Sequence, residues 1–134
     1  MGVWGYNNFE SDAALNALAG WINQLIEKIR LTFTYDSLDS LYDRWGEASI
    51  IANVDILGTL FSEYQPYPDL QLDEVLQWKR EYLATFDRIY AKFAVDSSSV
   101  EWTTNRRLVV EETFDRLLAI LKKIIEQADH NLPE

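Results

Sequence analysis

Carboxylates are the side chains this chain could use for chemistry in quantity: 22 Asp and Glu stand against 12 Lys and Arg, a formal net charge of −10. Paired acids serve as general acid and base, or hold a metal, when they converge from different elements with a suitable partner. The partners are missing. The single histidine, His130, sits in the polar stretch ADHNLPE, so neither a buried His–carboxylate dyad nor a multi-histidine metal site can be assembled. It reads as a helix-end residue whose partly positive imidazole suits the local dipole. The absence of cysteine removes disulfides, thiolate ligands and cysteine nucleophiles. Glu-x-x-His pairs of the di-iron type do not occur, and Asp69 and Asp73 do not follow the spacing of an EF-hand loop. Glu111 and Glu112, adjacent on a helix, point to different faces. The sequence predicts no enzyme, no cofactor and no metal.

The acids are unevenly spread. Between Asp36 and Glu74 there are nine (Asp36, Asp39, Asp43, Glu47, Asp55, Glu63, Asp69, Asp73, Glu74) against one base, Arg44. At about 100° per residue, Asp36, Asp39, Asp43 and Glu47 fall in one narrow helical stripe, opposite Leu41, Trp45 and Ala52. Acids in a first helical turn complement the dipole, which accounts for Asp36 and Asp39 but less well for Asp43 and Glu47. A negative edge of this kind repels nucleic acid and anionic membranes and attracts a basic protein partner. The partner-binding residues expected are therefore Asp36, Asp39, Asp43 and Glu47, with Tyr64 and Tyr67 of the adjoining proline loop.

Helices must position these residues. Leu15, Leu18, Ile22, Leu25, Ile26, Ile29 and Phe33 recur at three-four spacing and predict a first helix capped by Ser11 or Asp12. A second helix starts at Asp36 or Ser37. From Ile50 to Phe61 its apolar residues surround the axis, as in a helix contacted on several sides. EYQPYPDLQLD holds two of the three prolines and reads as a surface loop. Asp73 is expected to cap a third helix, with Val75, Leu76, Leu83, Phe86, Ile89, Tyr90 and Phe93 facing the core. Ser98 with Glu101 matches a capping box opening a fourth helix, whose core candidates are Trp102, Leu108, Phe114, Leu117, Leu118, Leu121, Ile124 and Ile125. These elements predict an all-α fold: one domain over residues 1–134, an antiparallel bundle of about four helices. An N-terminal Gly/aromatic plug (1–11) and a Pro-containing loop (64–73) complete it.

The opening stretch GVWGYNNFESDAA carries two glycines that allow close backbone approach and two large anchors, Trp4 and Phe9. Asp12 is expected to close the turn, which makes the segment structural rather than a ligand site. It resembles the N-terminal signature of the bacterial domain-of-unknown-function family 4259, on Gly2, Trp4, Gly5, Phe9, Ser11, Asp12 and Ala13. The resemblance implies a helical domain and supplies no activity. Where that family carries a glutamate in its second helix, the nearest residues here are Asn53 and Asp55.

No apolar run approaches the roughly 18 to 20 residues of a membrane span, and a basic-then-apolar leader pattern is absent, so a cytoplasmic location is expected. Three function classes remain. The first is a small acidic binding protein that occludes a basic partner, as an immunity protein does a nuclease toxin. The second is an enzyme or small-ligand protein with a site near Asp55, flanked by Tyr42, Trp45 or an arginine. The third is a regulatory or scaffold domain. Asp55 lies in an apolar stretch, so its carboxylate must be salt-bridged, exposed in a groove, or functional.

Overall fold

The computed structural model describes residues 5–34, 44–67, 69–92 and 95–130, with the backbone alone for 44–48 and 130. Four helices account for almost all of them: α1 (Asp12–Thr34), α2 (Arg44–Tyr64), α3 (Leu72–Tyr90) and α4 (Ser97–His130). No strand occurs among the described residues. The fold is an all-α four-helix bundle. The expected start of α2 at Asp36 or Ser37, and Phe93 as a core residue, lie outside the described residues.

The longest helix organises the bundle. At 34 residues, α4 extends about 51 Å. Its buried stripe, Val110, Thr113, Phe114, Leu117, Leu121 and Ile124, meets both α2 and α3, while α1 packs against α2. Gly58 faces Leu117 across the α2–α4 interface, where a Cβ would sit 3.9 Å from the Leu117 backbone, an ordinary contact distance. Across the α3–α4 interface, Lys79 pairs with Asp115 at 2.7 Å and Arg107 with Asp87 at 2.7 Å, while Tyr90 meets Trp102. Rising numbers on α3 meet falling numbers on α4, so the two are antiparallel. Phe9, just before α1, packs edge-on against Tyr64 at the end of α2 (centroids 4.9 Å), which sets α1 and α2 in opposite directions.

The core departs from the sequence expectation in specific places. On α3 the buried stripe is Val75, Trp78, Tyr82, Thr85, Phe86 and Ile89, a clean three-four series that excludes the exposed Leu76. Leu15, Ile56, Trp102 and Leu108 are also exposed. The apolar side of α2 is one broad arc holding Ile50, Ile51, Val54, Leu57 and Phe61, with Ile56 and Asp55 on the water side, and does not surround the axis. Two polar residues buried among the core side chains, Thr85 and Thr113, donate their hydroxyls to the carbonyls of Glu81 (2.9 Å) and Val109 (2.7 Å). Their burial therefore costs no hydrogen bond.

The helix ends are also set differently. Ser11 Oγ accepts from the Ala14 N–H (3.2 Å), so Ser11 is the α1 cap and Asp12 is an exposed first-turn acid. Gln71, not Asp73, precedes α3, in extended backbone and without a side-chain cap. Glu74 in that first turn takes a two-pronged contact from Arg30, Nε to Oε2 at 2.7 Å and an NH2 nitrogen to Oε1 at 2.8 Å. The same guanidinium donates to the Asp69 carbonyl and to Glu27, and its bond to Glu74 raises its already high pKa. Arg30 thereby fastens the proline loop and the start of α3 to α1. Gln65 closes the last turn of α2 through its N–H to Phe61 O (2.9 Å) and takes φ 45°, the left-handed position more often given to glycine.

At α4 the capping box is Asp96 with Ser99, two residues before the expected Ser98–Glu101 pair. Ser99 N–H donates to Asp96 Oδ1 (2.8 Å), and Asp96 N–H donates to Ser99 Oγ (3.1 Å). The backbone bond from Ser99 holds the Asp96 carboxyl below its usual range. A depressed carboxyl pKa stabilises the fold above the unfolded value of about 4, and that contribution is lost as pH falls through the folded value. Asparagine also caps but does not titrate. Urea unfolding between pH 6 and 2 should therefore show a shallower acid loss of stability for Asp96→Asn than for the wild type. Parallel curves would contradict this assignment.

Candidate interaction surface

Of the residues expected to bind a partner, Asp36, Asp39 and Asp43 lie outside the described residues; Glu47 lies within α2, its side chain outside them. Gly2 and Trp4 of the N-terminal motif are likewise outside. Tyr64 and Tyr67 are both exposed, Tyr67 at 77 % and Tyr64, against Phe9, at 36 %.

The rest of the N-terminal motif forms a compact turn. Glu10 N–H donates to Asn7 O (3.1 Å), and the Asn7 side-chain amide donates back to the Glu10 carboxylate. That carboxylate folds over Gly5 and occupies the space a Cβ would need, so any side chain at position 5 displaces it. A side chain there would be accommodated by a swing of the flexible Glu10 side chain, at the expense of its contact with Asn7. Phe9, partly buried against the core, anchors the turn to α2, and Ser11 starts α1. Tyr6 projects from this turn at 98 % exposure.

Charge divides along the fold. Residues 1–78, which carry α1, α2, the proline loop and the start of α3, hold twelve acids and three bases, whereas residues 79–134 hold ten acids and nine bases. Neither 5–27 nor 45–78 contains a single Lys or Arg. Lys79 and Arg107 are engaged with acids of the same two helices, in the Lys79–Asp115 and Arg107–Asp87–Glu111 contacts, while Arg116 reaches across to Asp55 of α2. Asp12, Glu63 and Asp69 are exposed and have no ion-pair partner among the described residues. A low-dielectric body with one-sided surface charge focuses its field outward, here a negative one.

The second feature is a groove of about 460 Å³ between α2 and α4. Asp55, Thr59 and Glu63 line one wall and Arg116 and Lys123 the other, over a floor that includes Gly58 and Ala119. Asp55 accepts from Arg116 at 3.0 Å, with both side chains more than half exposed. Of the options for this carboxylate, the first two hold together: it is salt-bridged and it stands in a groove. Tyr42 and the side chain of Trp45 lie outside the described residues. Among those described, no group of three His, Cys, Asp or Glu is placed to hold a metal ion, and no helix is long and apolar enough to cross a membrane.

No protein-family model, curated protein or solved structure matches the chain. The residues themselves carry the functional argument.

Exposed ion pairs contribute about 0–1 kcal/mol because water and salt screen them. A double-mutant cycle with Asp55→Asn and Arg116→Gln should therefore give a coupling of at most about 0.5 kcal/mol in thermal unfolding. A coupling above about 2 kcal/mol would mark the pair as a desolvated structural bridge.

Proposed function

We propose that this chain is an acidic helical binding protein that covers the basic surface of a protein partner, as an immunity protein covers a nuclease toxin. The observation that supports this reading is the charge division: residues 36–74, which include α2 and the proline loop, carry nine acids against one base, on a four-helix scaffold. Such a surface speeds encounter with a cationic protein and repels nucleic acid and anionic lipid, which points to a protein partner. A cytoplasmic setting fits the same reading, and the Gly-x-Trp-Gly opening supports kinship with domain-of-unknown-function family 4259. In that kinship Gly5, Phe9 and Ser11 serve the turn and the helix start.

The groove beside Asp55 favours a second reading, a small-ligand protein or enzyme, because four charged side chains face one cavity. Turnover or saturable binding of a small molecule, abolished by Asp55→Asn, would select it.

Reversal of Asp43 and Glu47 to lysine tests the first reading. Helical content and melting temperature should hardly change. Association with a cationic partner captured from the native cell should slow by about tenfold at low ionic strength, and the difference should shrink at high salt as screening shortens to a few ångströms. Equal association rates at low salt would remove the acidic edge from the interface.

A further inference from the structure

The corner where the N-terminal turn meets the end of α2 and the proline loop combines features that the charge argument leaves unexplained. Three tyrosines, Tyr6, Tyr64 and Tyr67, are exposed there, and the Phe9–Tyr64 contact joins the two segments that carry them. A single exposed ring is ordinary, whereas several on adjoining segments are a candidate contact surface. The Tyr64 ring is held in place, and the segment that carries Tyr67 is tethered beyond it. Phe9 packs against the Tyr64 ring, and Tyr67 lies between Pro66 and Pro68 in a loop whose far end is bound by Arg30 through the Asp69 carbonyl. The contact on Tyr64 and the tether at Asp69 lower the ordering cost when a partner binds.

The charge around the rings selects the occupant. The segments forming the corner, within 5–27 and 45–78, bring no Lys or Arg of their own; Arg30 reaches the loop from α1 but is committed to Glu74, Glu27 and the Asp69 carbonyl, and Lys123 lines the α2–α4 groove with Glu63. The carboxylates next to the rings in sequence, Glu63 and Asp69, are exposed and unpaired among the described residues, as is Asp12 at the start of α1. Glu10 is excluded from this set because its carboxylate is committed to Asn7. Aromatic faces beside free carboxylates suit a guanidinium better than an ammonium. Arginine is planar, weakly hydrated, stacks on rings and still presents N–H groups in the ring plane to an acid.

We propose that this corner is the recognition point for an arginine-bearing segment of the partner protein, with guanidinium groups stacked on Tyr6, Tyr64 and Tyr67 and paired with Glu63 and Asp69. The inference rests on the binding-protein reading and deepens it: the acidic half attracts the partner, and the tyrosine corner reads arginine in preference to lysine.

Titration of the intact protein with octa-arginine and octa-lysine peptides tests it, followed by calorimetry or fluorescence anisotropy at low salt. Each exposed ring–guanidinium contact is worth a factor of about two to five in affinity. The wild type should prefer octa-arginine by about fivefold or more. Tyr6→Ala with Tyr67→Ala, both at highly exposed positions where folding is not at risk, should remove that preference and weaken octa-arginine while leaving octa-lysine within about twofold. Glu63→Gln with Asp69→Asn should weaken both peptides. Equal affinity of the wild type for the two peptides, or octa-arginine binding unaffected by loss of the tyrosines, would overturn the proposal. If reversal of Asp43 and Glu47 then still weakened binding, the acidic docking reading would stand and only the corner would fall. Failure of the wild type to bind either peptide would defeat both.

Discussion

The bundle depends on one stripe of α4 being buried from two sides at once. Phe114, Leu117 and Leu121 are fully enclosed because α2 and α3 both close on the same helix, with Gly58 of α2 facing Leu117. That double contact fixes where everything else can go. With α3 held antiparallel on one side and α2 on the other, α1 is left to pack on α2, and its far end must find α3 through side chains. Arg30 with Glu74, and Phe33 stacked on Trp78 at 5.8 Å, make that connection. Closure of the bundle therefore rests partly on polar and aromatic contacts at one end, while its middle rests on apolar burial.

The same arrangement sorts the charges. Across the α3–α4 interface Lys79 faces Asp115 and Arg107 faces Asp87, and residues 79–134 are nearly neutral as a whole. α1 and α2 meet through Leu, Ile and Val; α1 is charge-balanced, whereas residues 44–74, from α2 through the proline loop to the start of α3, hold six acids against one base. The negative half is thus a consequence of which helices are neighbours as well as of composition. Asp55 illustrates the difference: although flanked in sequence by Val54 and Ile56, it points to water, meets Arg116 of α4, and stands in a groove rather than in the core.

Helix existence and fold class were legible in the sequence because the buried faces repeat at three-four spacing, a signal that survives without any tertiary information. What was not legible was decided by competition between near-equivalent neighbours. In DSSS and in SDA several side chains can cap, and Asp96 and Ser11 win by one or two residues according to where the chain enters the bundle. Leu76 looks like core by type, yet the α3 stripe runs through Trp78 and Tyr82, residues whose polar tips argue against full burial from sequence alone. Gly5 was read as a place for close approach, but only the structure supplies the atom that needs the room, the Glu10 carboxylate. Tyr64 and Tyr67 were expected at a partner surface for lying in a proline loop. The addition of Tyr6 depends on Phe9 joining the N-terminal turn to α2, a contact between residues 55 positions apart that no local pattern encodes.

The central claim is that a cationic partner docks on the α1, α2 and proline-loop half and not on α3 and α4. Carboxyl footprinting of the protein with and without its captured partner, read by mass spectrometry, measures this directly. The account predicts that Asp12, Glu63 and Asp69 lose reactivity in the complex while Glu101, Glu112 and Asp115 keep theirs. Protection of the α4 carboxylates with Glu63 and Asp69 still fully reactive would contradict it.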